Sequence, residues 1–225
     1  DFLAAVVSLA IASFLTEPDK TIDMGEKEAG IFSDSIKLFK QNEVARRFAI
    51  NKALVFIPTL IFWRLYQPIL KDLGMSVVVM GVVYSTFQLL TFLAHWYFDR
   101  IEVKFSTKHL MTFPVVIGLI CLVTYLFVDN LWILGLATVP VLVLGTFRDP
   151  IFFEQINLRV KSFNRATTTS VLNFIKSIFD IPILFLTGWF SAKGYTPGIM
   201  IGIGLFLVAL LAFPIKEKDI IKVEA

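Results

Sequence analysis

Six long apolar runs, at 48–70, 77–98, 109–128, 131–153, 168–190 and 198–214, govern what this chain can fold into. Each is close to the roughly 20 residues that an α-helix, rising about 1.5 Å per residue, needs to cross a hydrocarbon core about 30 Å thick. The bilayer core supplies no water to backbone polar groups, so a spanning segment must be a helix or part of a closed barrel. Barrel strands have half this length and alternate in polarity. The runs therefore predict an all-α integral-membrane protein with a six-transmembrane-helix bundle, its spans called A to F in chain order. Composition agrees, with 56% of residues apolar and 17% charged, against roughly a quarter charged in a soluble domain. A single Cys excludes a disulfide framework. The net charge of +3 does not mark a nucleic-acid partner, because the basic residues are scattered among the apolar runs rather than gathered on one solvated face.

Residues 1–15 are apolar but too short to span, and they lack the basic start and small-residue cleavage site of a signal peptide. They read as the end of a truncated transmembrane helix. Residues 16–47 mix Lys20, Lys27, Lys37 and Lys40 with Glu17, Asp19, Asp23, Glu26, Glu28 and Asp34. This is the composition of a loop, within which Phe32, Ile36 and Phe39 share the i, i+4, i+7 face of a short amphipathic helix. The transmembrane domain then occupies 48–215 and a tail 216–225.

Orientation follows from Lys and Arg in the connections. Lys20, Lys27, Lys37, Lys40, Arg46, Arg47, Arg100, Lys104, Lys108, Arg159, Lys161, Arg165, Lys216, Lys218 and Lys222 fall on one side; only Lys71 and Lys193 fall on the other. A bias of 15 to 2 predicts a cytoplasmic basic side, hence a cytoplasmic 16–47 loop and C-terminus.

Polar residues within the spans are not scattered. In span B, Tyr84, Gln88, Thr91 and His95 recur at helical spacing; in span E, Thr169, Asn173, Lys176, Asp180 and Thr187 do the same. Span A carries Lys52, Thr59, Trp63 and Tyr66 on one stripe, and span D carries Gly145, Arg148, Phe152 and Gln155. Four spans are thus expected to share a polar interior, while the uncharged C and F are expected at the periphery. A charge at the centre of a span costs roughly 2.5–3.5 kcal/mol on insertion scales, and marks a pathway, a proton relay or a structural pair. Arg148, Lys176 and Asp180 are such charges. Lys176 and Asp180 lie one turn apart, so either they lock helices as a neutralised pair or they serve a substrate or proton. Pro58, Pro150 and Pro182 free the carbonyls of Leu54, Thr146 and Ile178 and predict local kinks. No nucleophile elbow, zinc-protease or Walker motif is present, and no Cys/His cluster has metal spacing, so neither an enzyme nor a cofactor or metal is expected.

Two segments resemble the C-terminal half of a major facilitator superfamily (MFS) transporter. FWRLYQPILKDLGMSVVVMGVVYSTFQLL, 62–90, is similar to that family's seventh helix, outer turn and eighth helix. RDPIFFEQINLRVKSFNRATTTSVLNFIKS, 148–177, is similar to its tenth-helix exit and the entry to the eleventh. The HWYFDR run at 95–100 resembles its cytoplasmic G-x-x-x-D-R motif, with Asp99 and Arg100 in place, His95 at the first glycine and Glu102 where the second falls. The order of features extends the resemblance over the whole chain. It implies the second half of a twelve-helix fold in the plasma (inner) membrane, with A and D lining a cavity, B and E at the seam between halves, and Asp99 and Arg100 in a gating loop. It also implies movement of a small-molecule substrate by alternating access, coupled to a proton or ion, with an N-terminal six-helix half completing the site. The pathway residues expected are Lys52, Thr59, Trp63, Tyr66, Gln88, Arg148, Asn173, Lys176 and Asp180. The rival expectation is a non-transporting membrane anchor whose polar stripes only hold helices together.

Overall fold

A computed structural model describes residues 39–160 and 165–221, with side chains only partly described between 165 and 193. The truncated helix at 1–15 and most of the 16–47 loop therefore lie outside the described residues, as do the side chains of Asn173, Lys176 and Asp180.

The described chain is helical, without strands. Its elements are α1 (Glu43–Asp72), α2 (Val77–Trp96), α3 (Phe98–Lys104), α4 (Thr107–Phe127), α5 (Leu131–Phe147), α6 (Asp149–Asn157), α7 (Arg165–Lys193), α8 (Thr196–Leu211) and a short 3-10 turn, Glu217–Asp219. Spans A, B, C, E and F correspond to α1, α2, α4, α7 and α8. Span D is divided into α5 and α6, and α3 is a short helix inside the B to C connection. Four helical stretches are long and apolar enough to cross a membrane: α1, α2, α4 and the continuous pair Leu131–Asn157. At 16 residues α8 is shorter, and in α7 the apolar described stretch is Ile181–Phe190. The outer surface fits a multi-pass membrane protein, since Val78, Phe127, Leu136, Ile181, Phe185 and Leu211 are each more than 70% exposed. An apolar belt of that extent is incompatible with water and suited to lipid.

Local sequence explains where the helices start. Asn42, Ser76, Ser106 and Asn130 sit just before α1, α2, α4 and α5, and each side chain accepts a backbone N–H of the first turn that has no helical partner. Between α1 and α2 the chain reverses within 73–76. Gly74 there adopts φ +91°, a left-handed conformation that glycine enters without steric cost, and Met75 N–H returns to Leu70 C=O at 2.8 Å.

Four helices close on one another: α1 packs on α8, α8 on α4, α4 on α5, and α5 on α1. Small residues permit the approach. Gly202 of α8 faces Leu122 and Pro58, and Gly198 faces Leu65 and Phe190, so glycine leaves room that a Cβ would fill. Span F therefore packs closely against α1 as well as facing lipid, whereas Gly204 looks into open space. The two remaining long helices flank this unit, α2 on α5 and α7 on α1. Only Phe87 of α2 is buried.

The core has two apolar clusters. The larger runs through the closed four-helix unit and includes Phe62, Leu65, Tyr66, Leu122, Leu142 and Phe206. The smaller lies at the basic end, around Phe48, Met111, Phe147, Ile151, Phe152 and Ile215. The chain after α8 is fastened beneath it. Gln155 and Ile221 exchange two 3.0 Å hydrogen bonds, and the buried Asp219 carboxylate accepts from Arg47 at 2.8 Å. Arg159 donates to the Asp219 carbonyl and stacks on Phe48. Gln155, expected on the polar stripe of span D, is in fact an anchor for the C-terminal segment.

Candidate functional site

Between the two apolar clusters lies a group of polar side chains built by α1, α5 and α6. Its origin is the interruption at Arg148. Pro150 cannot donate to the Thr146 carbonyl, so α5 stops at Phe147 and α6 restarts at Asp149. This break places Arg148 and Asp149 side by side against the first third of α1, roughly 14 Å along a helix roughly 45 Å long.

Lys52 Nζ donates to Asp149 Oδ1 at 2.7 Å and lies 4.3 Å and 4.1 Å from the ring centres of Phe152 and Phe153. Its ammonium is thus held by a carboxylate and by two aromatic faces. Arg148 is 4% exposed and donates from Nη2 to Asn51 Oδ1. Asn51 is itself buried and donates to the carbonyls of Ala209 at 3.1 Å and Phe213 at 2.8 Å. These are carbonyls at the end of α8, where the helix offers them no partner. Asn51 therefore connects three elements, α1, α8 and the α5–α6 break, through one amide. Arg148 Nε is buried and has no hydrogen-bond partner. A cavity of about 20 Å³ adjoins the group, lined by Lys52, Val55, Phe56, Met111, Gly145, Arg148, Asp149 and Phe152.

About two turns further along α1, Thr59 is buried against Gly145 of α5 and donates to the Val55 carbonyl at 2.9 Å. A Cβ at position 145 would meet the Thr59 side chain, so the glycine lets α5 approach α1 here. Lys52, Arg148 and Thr59 share this region as expected from their stripes.

The other expected pathway residues are elsewhere. Tyr66 is buried in the larger apolar cluster, with its hydroxyl accepting from Gln67 at 3.0 Å. It does not reach the polar group, because on a 3.6-residue period it has drifted to the face that packs on the core. Trp63 is 38% exposed and packs edge-on against Phe87 and Tyr84 of α2. Gln88 is exposed on α2 and donates to Tyr84 Oη at 2.9 Å. Tyr84, Gln88 and His95 are exposed on one side of α2, where Trp63 of α1 meets Tyr84, whereas Thr91 of the same stripe is half-buried with its hydroxyl oxygen shielded from solvent. The described polar side chains of spans A, B and D thus fall in two groups, one buried between α1 and the α5–α6 break, the other open on the α1–α2 surface, while those of Asn173, Lys176 and Asp180 in span E lie outside the described residues. α2 packs on α5 and leaves Tyr84, Gln88 and His95 facing outward.

Asp99 and Arg100 are exposed in α3, where Arg100 stacks on Tyr97. Glu102 of the same helix has its carboxyl pushed above its usual range, chiefly by partial burial and secondarily by the negative charges of Glu154 and Asp99. At the opposite end Tyr195 donates to Asp72 at 2.5 Å.

Sequence reasoning missed Asn51 and Asp149. Both adjoin a stronger candidate, Lys52 and Arg148, and choosing the more costly charge from each pair concealed its neighbour. The available signal was Asp149 directly before a helix-interrupting proline. No protein-family model, curated protein or solved structure matches the chain.

Proposed function

We propose that the chain is the second half of a twelve-helix transporter of the major facilitator type. It moves a small solute across the plasma (inner) membrane by alternating access, with its C-terminus cytoplasmic and a proton or ion as coupling partner. The observation that carries this reading is the buried Arg148 beside the Lys52–Asp149 pair, within helices of membrane-spanning length. Ionisable groups at such depth are costly and are characteristic of solute and ion pathways. The open polar side of α2 supports it, since Tyr84 and Gln88 would face lipid unless a water-filled cleft or a second helical half adjoins them. In this reading α1 and the α5–α6 break line the pathway, α2 and α7 adjoin the other half, and Asp99 and Arg100 belong to a gating loop.

A non-transporting membrane anchor is the second reading, and one observation favours it. Lys52 donates to Asp149 and Arg148 to Asn51, two contacts that by themselves hold α1 to the α5–α6 break. Accessibility separates the two. In full-length protein with Cys121 replaced by serine, cysteines at Thr59, Gln88 and Asn173 should react with a water-soluble thiol reagent, and the Thr59 site should change its labelling rate when an ion gradient is imposed. Protection of all three positions from both sides, with and without a gradient, would remove the transport reading and leave the anchor.

A further inference from the structure

We propose that the apolar groove between the basic-side ends of α2, α4 and α5 is a binding site for one anionic phospholipid, with an acyl chain in the groove and the phosphate on Arg100, Lys104 and Lys108. Such a site requires only that the chain lies in a bilayer and is independent of transport.

The first observation is the shape and chemistry of the groove. α2 and α4 both pack on α5, and between their ends, beside α3, lies a recess of about 380 Å³, within the roughly 300–1,000 Å³ of small-molecule sites. Leu110, Pro114, Val143 and Phe147 line it and are buried, whereas Phe105 and Phe113 line it while 55% and 63% exposed. The recess thus has a buried floor and raised aromatic flanks. Apart from His109, whose Nδ1 is held by Ser106 Oγ at 2.7 Å, every lining residue is apolar. Water or a polar solute finds few partners against such a wall, and a hydrocarbon chain needs none.

The second observation is the charge along the rim. Ile101, Phe105 and His109 of the wall are directly preceded by Arg100, Lys104 and Lys108, so each base starts about 3.8 Å, by Cα, from a lining residue. All three are exposed. Among the described residues Lys104 and Lys108 have no ion pair, and Arg100 stacks on Tyr97 at 5.3 Å. Glu102 does not cancel them, because it lies about 160° around α3 from both Arg100 and Lys104. The bases also sit at the right depth. They precede or open α4, a helix of spanning length that starts at Thr107. Trp96 and Tyr97 beside them, 71% and 42% exposed, are the ring types that settle at headgroup level. A lipid of the adjoining leaflet therefore meets the groove with its chain and the bases with its phosphate. Basic pockets between spanning helices favour anionic headgroups, by about fivefold for each Lys or Arg.

Native mass spectrometry of the purified full-length chain in detergent tests this, with dioleoylphosphatidylglycerol and dioleoylphosphatidylcholine titrated separately. The two lipids share their chains and differ in net charge. One phosphatidylglycerol should bind roughly tenfold or more tighter than phosphatidylcholine. Replacing Arg100, Lys104 and Lys108 together by Gln, all on the surface, should abolish that preference and leave phosphatidylcholine unchanged. Leu144→Trp, which fills the groove from α5, should weaken phosphatidylglycerol several-fold with the three bases intact. Glycerol phosphate, the headgroup without chains, should not displace the lipid. Equal binding of the two lipids would overturn the proposal and leave ordinary annular lipid. A triple variant that keeps the preference would overturn it too, as would unchanged binding in Leu144→Trp, which would assign the groove to another part of the chain. Displacement by glycerol phosphate would reassign the bases to a free phosphate. If Leu144→Trp fails to fold, Phe105→Ala with Phe113→Ala removes the exposed flanks and decides the same point.

Discussion

Gly145→Ala tests whether α1 and α5 are held at the separation described above. A Cβ at position 145 would lie 2.4 Å from Thr59 Cγ2, 3.0 Å from its Oγ1 and 3.2 Å from its Cβ. Carbon atoms in contact prefer about 3.5–4.0 Å, so roughly 1 Å must be found. Thr59 cannot rotate away freely, because its branched side chain is stiff at χ1 and its hydroxyl is bound to Val55 at 2.9 Å. Overpacking of this kind costs about 1–3 kcal/mol, and the short distance to a stiff neighbour places this site near the upper figure. Alanine recovers about 1 kcal/mol of helix propensity over glycine, leaving a net loss of about 2 kcal/mol. At roughly 2–4 °C per kcal/mol, the unfolding midpoint should fall by about 4–8 °C. Cys121 is the single cysteine and is half-buried in α4, so a thiol-reactive fluorophore reports unfolding without further labelling. Adding Thr59→Ser removes Cγ2 and should restore most of the loss, a coupling of about 1 kcal/mol or more. Gly81→Ala is the control, since a Cβ there meets nothing within 4 Å and should leave the midpoint unchanged or higher. If Gly145→Ala behaves like Gly81→Ala, or if Thr59→Ser and Gly145→Ala are additive, the two helices do not meet at these residues.

Three further outcomes are expected. Asp219→Ala removes the acceptor of Arg47 and leaves that guanidinium, 19% exposed, without its buried partner; a loss of about 1–3 kcal/mol should follow, with faster proteolysis of the C-terminal segment as the readout. Glu102 is held above its usual carboxyl range by partial burial and by Glu154 and Asp99, so the stability it contributes is present below the unfolded-state value and is lost as pH rises through the folded-state value; Glu102→Gln should therefore raise the midpoint at pH 7, by less than about 1 kcal/mol in stability at this partly exposed site, and have no such effect at pH 3. Reporter tags at Ala225 and Lys193 should fall on opposite sides of the membrane, cytoplasmic and external respectively, and two tags on one side would refute the span count drawn from the 15 to 2 charge bias.

The helices were legible because length and polarity are local. An apolar run of about 20 residues satisfies its own backbone as a helix whatever packs against it, and so 48–70 falls inside Glu43–Asp72 and 109–128 almost coincides with Thr107–Phe127. For span D the sequence predicted a kink at Pro150 rather than a division, and the chain breaks there into α5 and α6, whereas α1 runs on through Pro58. The site was legible only in part. Spacing states that Tyr84, Gln88 and His95 share a side of α2, but it carries no information about what adjoins that side, which depends on contacts with residues far along the chain or outside it. Lys52 and Thr59 meet Asp149 and Gly145 because α1 packs along both α5 and α6. Asn51 was hidden for a different reason: its importance comes from the unsatisfied carbonyls of Ala209 and Phe213, a requirement created by the end of α8 more than 150 residues away. The same reasoning bears on Gln88. A glutamine on an otherwise apolar, exposed helix is costly against lipid and inexpensive against water or a second polar helix, and its labelling in the membrane therefore reports directly on which of these adjoins α2.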